Sequence, residues 1–188
     1  MTGGSAFELL KVIEQAGRVC YKSEDKITMD SHEKFIKSII SRGHEAVIEH
    51  GVITCKIICD RGVSHEIVRH RLASYCQEST RYCNYSKEKF GGSVTMITPP
   101  WLEEEFSLEF EEDLRMMEQI YFKWLKKGWT AQQARGFLPT FVKTELVMTG
   151  TVSHWKHFFD LRCPASAHPQ ARELAQPLHD AFVVKGLI

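Results

Sequence analysis

Residues 51–60, GVITCKIICD, place Ile53, Cys55, Ile57 and Cys59 on one side of an extended chain and Thr54 and Lys56 on the other. Such a half-buried strand asks for cover on one face, which fits helices packed on a sheet. The sulfurs of Cys55 and Cys59 share that face but start about 13 Å apart at roughly 3.3 Å per residue, too far for one disulfide or one zinc. The six cysteines, at 20, 55, 59, 76, 83 and 163, form no CxxC pair. Reduced thiols in a reducing compartment fit best.

Around this strand the helical period dominates. Phe7, Leu10 and Ile13 predict a first helix ending near Gly17, and Ser31 is placed to cap a second, HEKFIKSIIS, that stops at Gly43. HEAVIEH reads as a short helix or turn. Beyond Gly62, GVSHEIVRHRL reads as a helix, and RYCNYSK and SVTMITP read as strands separated by Gly91 and Gly92. Trp101 opens a long helix on which Leu102, Phe106, Phe110, Leu114, Met117, Tyr121 and Trp124 recur at helical spacing, the pattern of a core rather than a cofactor box. Gly128 ends it. TAQQARGFLP predicts a helix stopping at Pro139, VKTELVMTG a strand, and TVSHWKHFFDLR and PQARELAQPLHDAFVV two closing helices. The expected fold class is α+β, a short, mainly antiparallel sheet with packed helices. Without a repeat or linker, residues 1–188 are expected to form a single domain. No GxGxxG or P-loop occurs, which argues against a Rossmann or Walker site.

Twenty-four Lys and Arg balance twenty-four Asp and Glu, so no overall field draws the protein to nucleic acid or an anionic membrane. Any anion must be bound locally. The start lacks the pattern of a signal peptide, and no apolar run approaches the roughly 18 residues that span a bilayer. A cytoplasmic protein is expected.

Against that neutrality, residues 69–82, RHRLASYCQESTRY, concentrate cation. On a helix, Arg69, His70 and Arg71 would point about 100° apart and could not all serve one small ligand, leaving different ligands or different subunits. Apolar Ile67, Val68, Leu72 and Ala73 make a freely solvated stripe a poor explanation, since buried guanidinium needs an anion or acceptors. Physics alone leaves surface charge with structural ion pairs standing beside an anion grip. Ser79 and Arg81, a hydroxyl and a bidentate fork, suit a phosphate. Cys76 lies inside the stretch without an evident base to activate it as a nucleophile. His154 and His157 have metal-compatible spacing but no third ligand is placed to complete a site, so no metal is expected.

The order Arg69, His70, Arg71, seven residues, Ser79, closed by Arg81 and Tyr82, resembles the signature of the flavin-dependent thymidylate synthases. Upstream, GHEAVIEH resembles the family's GHE(S/T)xxEH, with the same 19-residue step from His50 to Arg69. Downstream, QARGFLP resembles its ARxxLP, and FFDLRCPASAHPQARELA its LR segment followed by a helix. The likeness runs from about residue 41 to 175.

The resemblance implies reductive methylation of dUMP to dTMP, with 5,10-methylenetetrahydrofolate as carbon donor, NADPH-reduced FAD as hydride source and tetrahydrofolate as product. It implies a homotetramer whose active sites lie at subunit interfaces. Carried over, Glu66, Arg69, Gln77, Glu78, Ser79, Thr80, Arg81 and Arg135 would hold the nucleotide. Arg69, His70, Arg71, Gln77, Thr151, Ser153 and His157 would meet the flavin. His44 would stand where folate stacks on flavin, with Glu49 and His50 bracing the region; from the residues alone a structural histidine explains His44 as well. Arg162 would be the catalytic residue, its cation stabilising negative charge on the uracil N3 and carbonyl oxygens so that C5 becomes more nucleophilic. Ala46, Thr151, His157, Gln77, Glu66 and Cys76 depart from the family's usual residues. Those departures keep two alternatives in view: a UMP or dual UMP/dUMP 5-methylase of nucleoside-antibiotic pathways, and a non-catalytic homologue that binds nucleotide or flavin.

Overall fold

The computed structural model describes residues 5–188, and in it the alternating segment forms β1 (Val52–Asp60), with Ile57 and Cys59 buried and Val52, Thr54, Lys56 and Ile58 exposed. β3 (Lys143–Thr151) alternates more strictly, burying Thr144, Leu146, Met148 and Gly150. With β2 (Ser74–Gln77) these strands make a three-stranded antiparallel sheet in the order β1-β3-β2. The helices are α1 (Ala6–Val19), α2 (Ser31–Ser41), α3 (Glu45–Ile48), α4 (Arg61–Ile67), α5 (Ser107–Lys126), α6 (Ala131–Ala134), α7 (Val152–Arg162) and α8 (Pro169–Val184). The expected α+β class is the observed one.

Two compact units divide the chain. The first takes in the chain up to Lys56, His70–Tyr75 and Val147–Ile188; the second takes in Ile57–Arg69 and Cys76–Leu146. The first unit's core includes Ile13, Ile36, Ile48, Met148, Trp155 and Phe158, each no more than 2% exposed. Trp155 satisfies its indole by donating to the Ile53 carbonyl at 3.2 Å. Glu14, fully buried, accepts from Arg18 Nη2 and Ser31 Oγ, both at 2.8 Å, so its charge is paired as burial demands. The second unit packs Tyr85, Val94, Tyr121, Ala134 and Val142 together.

Several expected boundaries move. α1 runs through Gly17 to Val19, and the glycine serves packing instead of ending the helix, since a Cβ there would lie 2.6 Å from Phe35 and 2.8 Å from Val47. Ser31 is the first residue of α2 rather than its cap; its hydroxyl takes the Thr28 N–H and serves Glu14 instead. The helix expected over 62–72 stops at Ile67. Arg69 N–H bonds back to Glu66 O in a tightened turn, and Tyr75 Oη donates to the His70 carbonyl at 2.6 Å. Arg69, His70 and Arg71 are therefore off the helix, and the helical divergence expected of them does not apply. Residues 81–87 are turns, not a strand: Asn84 Oδ1 accepts from Ser86 N and Oγ, the local competition that asparagine offers to a ladder. Of the strand expected over 93–99, only the Met96–Val142 bridge forms. The long helix begins at Ser107, not Trp101, and Phe106 and Met117 are 50% and 39% exposed while Tyr121 is wholly buried.

Candidate functional site

α7 starts where β3 ends. Thr151 caps it, Oγ1 accepting the His154 N–H at 3.2 Å, and the Val152 N–H donates to Gly51 O at 2.8 Å. That first turn sets Thr151, Ser153, His154 and His157 along a cavity of about 490 Å³ whose remaining walls are Glu49, Arg71 and Leu72. Five of the residues associated with flavin by resemblance, Glu49, Arg71, Thr151, Ser153 and His157, thus come together. His154 joins them unforeseen in this role. Its Nε2 is enclosed without a hydrogen-bond partner, and burial, helped by His157, lowers its pKa. The i, i+3 spacing with His157 was its one signal in the sequence. His44, the exposed cap residue of α3, is not among the lining residues.

His70 packs beside this wall, its ring centroid 6.3 Å from His154, 6.2 Å from His157 and 4.9 Å from Phe158. Arg162, the last residue of α7, donates its Nε–H to His70 Nε2 at 2.9 Å. An imidazole nitrogen that accepts is unprotonated, so the proton sits on Nδ1. Burial first, then the Arg162 cation, His154 and His157, push the His70 pKa down to about 4. The middle letter of the basic triplet is not a cation near neutral pH.

In the second unit, α4 and β3 brace the last residue of β2 and the stretch that follows it. Gln77 Nε2 donates to Ser64 Oγ at 2.8 Å and Thr144 Oγ1 at 3.3 Å. Glu78 is held on every side: its N–H donates to Glu145 O at 2.8 Å, its carbonyl accepts from Arg61 Nη1 at 3.3 Å, its carboxylate accepts from Tyr85 Oη at 2.6 Å, and Lys143 Nζ lies 3.6 Å away. Burial and that carboxylate push the Tyr85 phenol far above its ordinary pKa. Ser79 then opens a turn, its carbonyl taking the Tyr82 and Cys83 N–H groups and its Oγ the Arg81 N–H. Thr80 is buried inside the turn, and the Arg81 guanidinium lies 5.2 Å from the Tyr82 ring centroid. Glu66 is half-buried on α4, Arg69 exposed just beyond it, and Arg135 exposed in the turn after α6. Arg61, Ser64 and Thr144 carried no sequence signal; only the fold reveals them as supports.

Arg69, Arg71, Arg81 and Arg135 share one property. Each is exposed, and among the described residues none has a carboxylate within ion-pair distance. Guanidinium without an acidic partner is free to take an anion bidentately.

The family model described as thymidylate synthase complementing protein matches residues 7–184, and the chain belongs to that family. Among its relatives are proteins named flavin-dependent thymidylate synthase. That of Pyrococcus abyssi is 34% identical over 175 residues, covering 88% of this chain and 71% of the relative. That of Pyrococcus furiosus is 32% identical over 168 residues, covering 87% and 68%. That of Geobacter sulfurreducens is 33% identical over 171 residues, covering 85% and 71%.

Proposed function

We propose that the chain is a flavin-dependent thymidylate synthase, converting dUMP to dTMP with 5,10-methylenetetrahydrofolate as carbon donor and FAD, reduced by NADPH, as hydride source. The observation that carries this reading is the set of arginines left without carboxylates in a chain of zero net charge, because a nucleotide phosphate and a flavin pyrophosphate are the anions such a family handles. FAD suits the cavity walled by Arg71, the Thr151 and Ser153 hydroxyls and the imidazoles of His154 and His157: a guanidinium matches its phosphates, and the unpartnered His154 Nε2 can be met by a polar edge of its ring system.

When bound, FAD supplies the hydride. This chain's residues bind and orient. Ser79 and Arg81 take the dUMP phosphate, with Thr80, Arg69, Glu66, Gln77 and Arg135 around the nucleotide, while Glu78, its carboxylate engaged by Tyr85 and Lys143, fixes the turn. Glu49, Arg71, Thr151, Ser153 and His157 serve the flavin, and His44 the folate. Arg162 lies against the pyrimidine, where a permanent cation stabilises charge on N3 and the carbonyl oxygens and raises the nucleophilicity of C5. The working form is a cytoplasmic homotetramer with active sites at subunit interfaces, each chain a single domain. Among the described residues, no helix is long and apolar enough to cross a membrane.

The test is purified protein with FAD, NADPH, methylenetetrahydrofolate and dUMP. A yellow protein that forms dTMP and tetrahydrofolate is expected. Turnover of UMP but not dUMP would replace the substrate, and protein that retains no flavin would overturn the reading.

A further inference from the structure

The bond between Arg162 and His70 joins residues 92 positions apart and gives the middle of the basic triplet a task that basicity does not describe. His70 is 5% exposed and is fixed at three points. Tyr75 Oη holds its carbonyl at 2.6 Å, Phe158 meets its ring edge-on at 4.9 Å, and Arg162 Nε–H donates to its Nε2 at 2.9 Å. An arginine side chain has long rotamer freedom, and a hydrogen bond to Nε sets the plane of its guanidinium. Resting on the reading that Arg162 polarises the pyrimidine, we propose that His70 is a positioning residue, a neutral imidazole whose Nε2 lone pair orients the Arg162 guanidinium.

The surroundings favour an acceptor there over a cation. The groups that face the His70 ring from α7 are Arg162, His154 and His157, and from β2 the neighbour is Tyr75; none is a carboxylate. A protonated His70 would lose its lone pair and set two cations 2.9 Å apart, so the arginine would swing away. A carboxylate at position 70 would bind Arg162 more tightly but would offset the charge the pyrimidine needs. Histidine orients the guanidinium without neutralising it.

Three measurements test this. In the wild-type protein, the ring nitrogens of His70 read by ¹⁵N NMR should report the neutral tautomer protonated on Nδ1 down to about pH 5; an imidazolium at pH 6 would overturn the proposal without any variant having to fold. Replacing His70 with Gln, whose Oε1 reaches about as far as Nε2, should keep dUMP affinity and kcat within about five-fold of wild type. Replacing it with Leu should weaken dUMP binding by about ten-fold and kcat by more, with flavin absorbance retained. The third measurement is calorimetric dUMP affinity in His70→Leu, Arg162→Ala and the double variant. Effects that fail to multiply, the double variant binding no more weakly than Arg162→Ala, are expected of a residue acting through Arg162. Independent effects, or a Gln variant as poor as Leu, would sink the positioning role while wild-type turnover left the enzyme assignment intact. A wild type that neither binds nor methylates dUMP would instead remove the reading on which the proposal rests.

Discussion

At the scale of single residues, charge was legible and its use was not. The unpaired arginines stand out in a sequence of zero net charge, but that His70 accepts from Arg162 depends on a chain reversal no local pattern encodes. His154 showed only its spacing to His157; its place in the cavity follows from the Thr151 cap that starts α7. Two predictions belong here. Arg162→Ala removes the one cation assigned to the pyrimidine, so kcat should fall about 10²- to 10³-fold with flavin absorbance unchanged; an assay at wild-type rate would take Arg162 out of the chemistry. The second concerns pH. His70 ionises at about 4 when folded and near 6.5 when unfolded. Above 6.5 both states are neutral and stability is indifferent to this group. As pH falls towards about 4 the unfolded chain binds a proton that the folded chain does not, so stability declines, and His154 pulls the same way. Melting curves at pH 6.5 and about 5 should show wild type losing on the order of 2–4 °C more than His70→Gln. Equal losses would mean that His70 does not titrate between the states.

At the scale of elements, the sequence was right wherever one face is buried along a whole segment, as in β1, β3, α7 and α8, because periodicity is a record of burial. It went astray where local hydrogen bonds outbid the period. Leu72 closes an apparently helical run yet has φ +65, and the Ser79 carbonyl and Asn84 side chain take up local N–H groups across residues 82–86. β2, four residues with exposed Ser74 and Cys76, is too short to show alternation clearly. Gly51 illustrates a constraint invisible to periodicity. A Cβ there would lie 2.6 Å from Ile13 and 3.0 Å from Val152, both fully buried, so Gly51→Ala should cost roughly 1–3 kcal/mol by overpacking, read as a lower urea midpoint at unchanged slope. Glu78 is a second such point. Glu78→Ala strands the buried Tyr85 hydroxyl and releases the turn at Ser79, so dUMP affinity should weaken about ten-fold with flavin retained. Tyr85→Phe, which keeps the carboxylate beside Lys143, should do less. Wild-type affinity in Glu78→Ala would show that the turn holds itself.

At the scale of the whole molecule, the proposed tetramer directs attention to the surface rather than the core. Leu72 is 93% exposed at φ +65, a left-handed conformation that costs a leucine roughly 1–2 kcal/mol, and it stands next to Arg71 on the cavity wall. Strain that holds a large apolar side chain out in water persists where the surrounding structure demands it, and in the proposed tetramer that demand would be contact with a neighbouring subunit beside the cavity. A charge at that point would have to be desolvated in the assembly. Leu72→Glu should therefore lower the mass seen by light scattering from about four times 21.6 kDa to a smaller species and bleach the protein as flavin is lost, while the circular dichroism of the isolated chain stays as it was. Should the variant remain a yellow tetramer, Leu72 faces solvent in the assembly, and the subunit contact has to be sought on another surface, such as the exposed Val52 and Ile58 of β1.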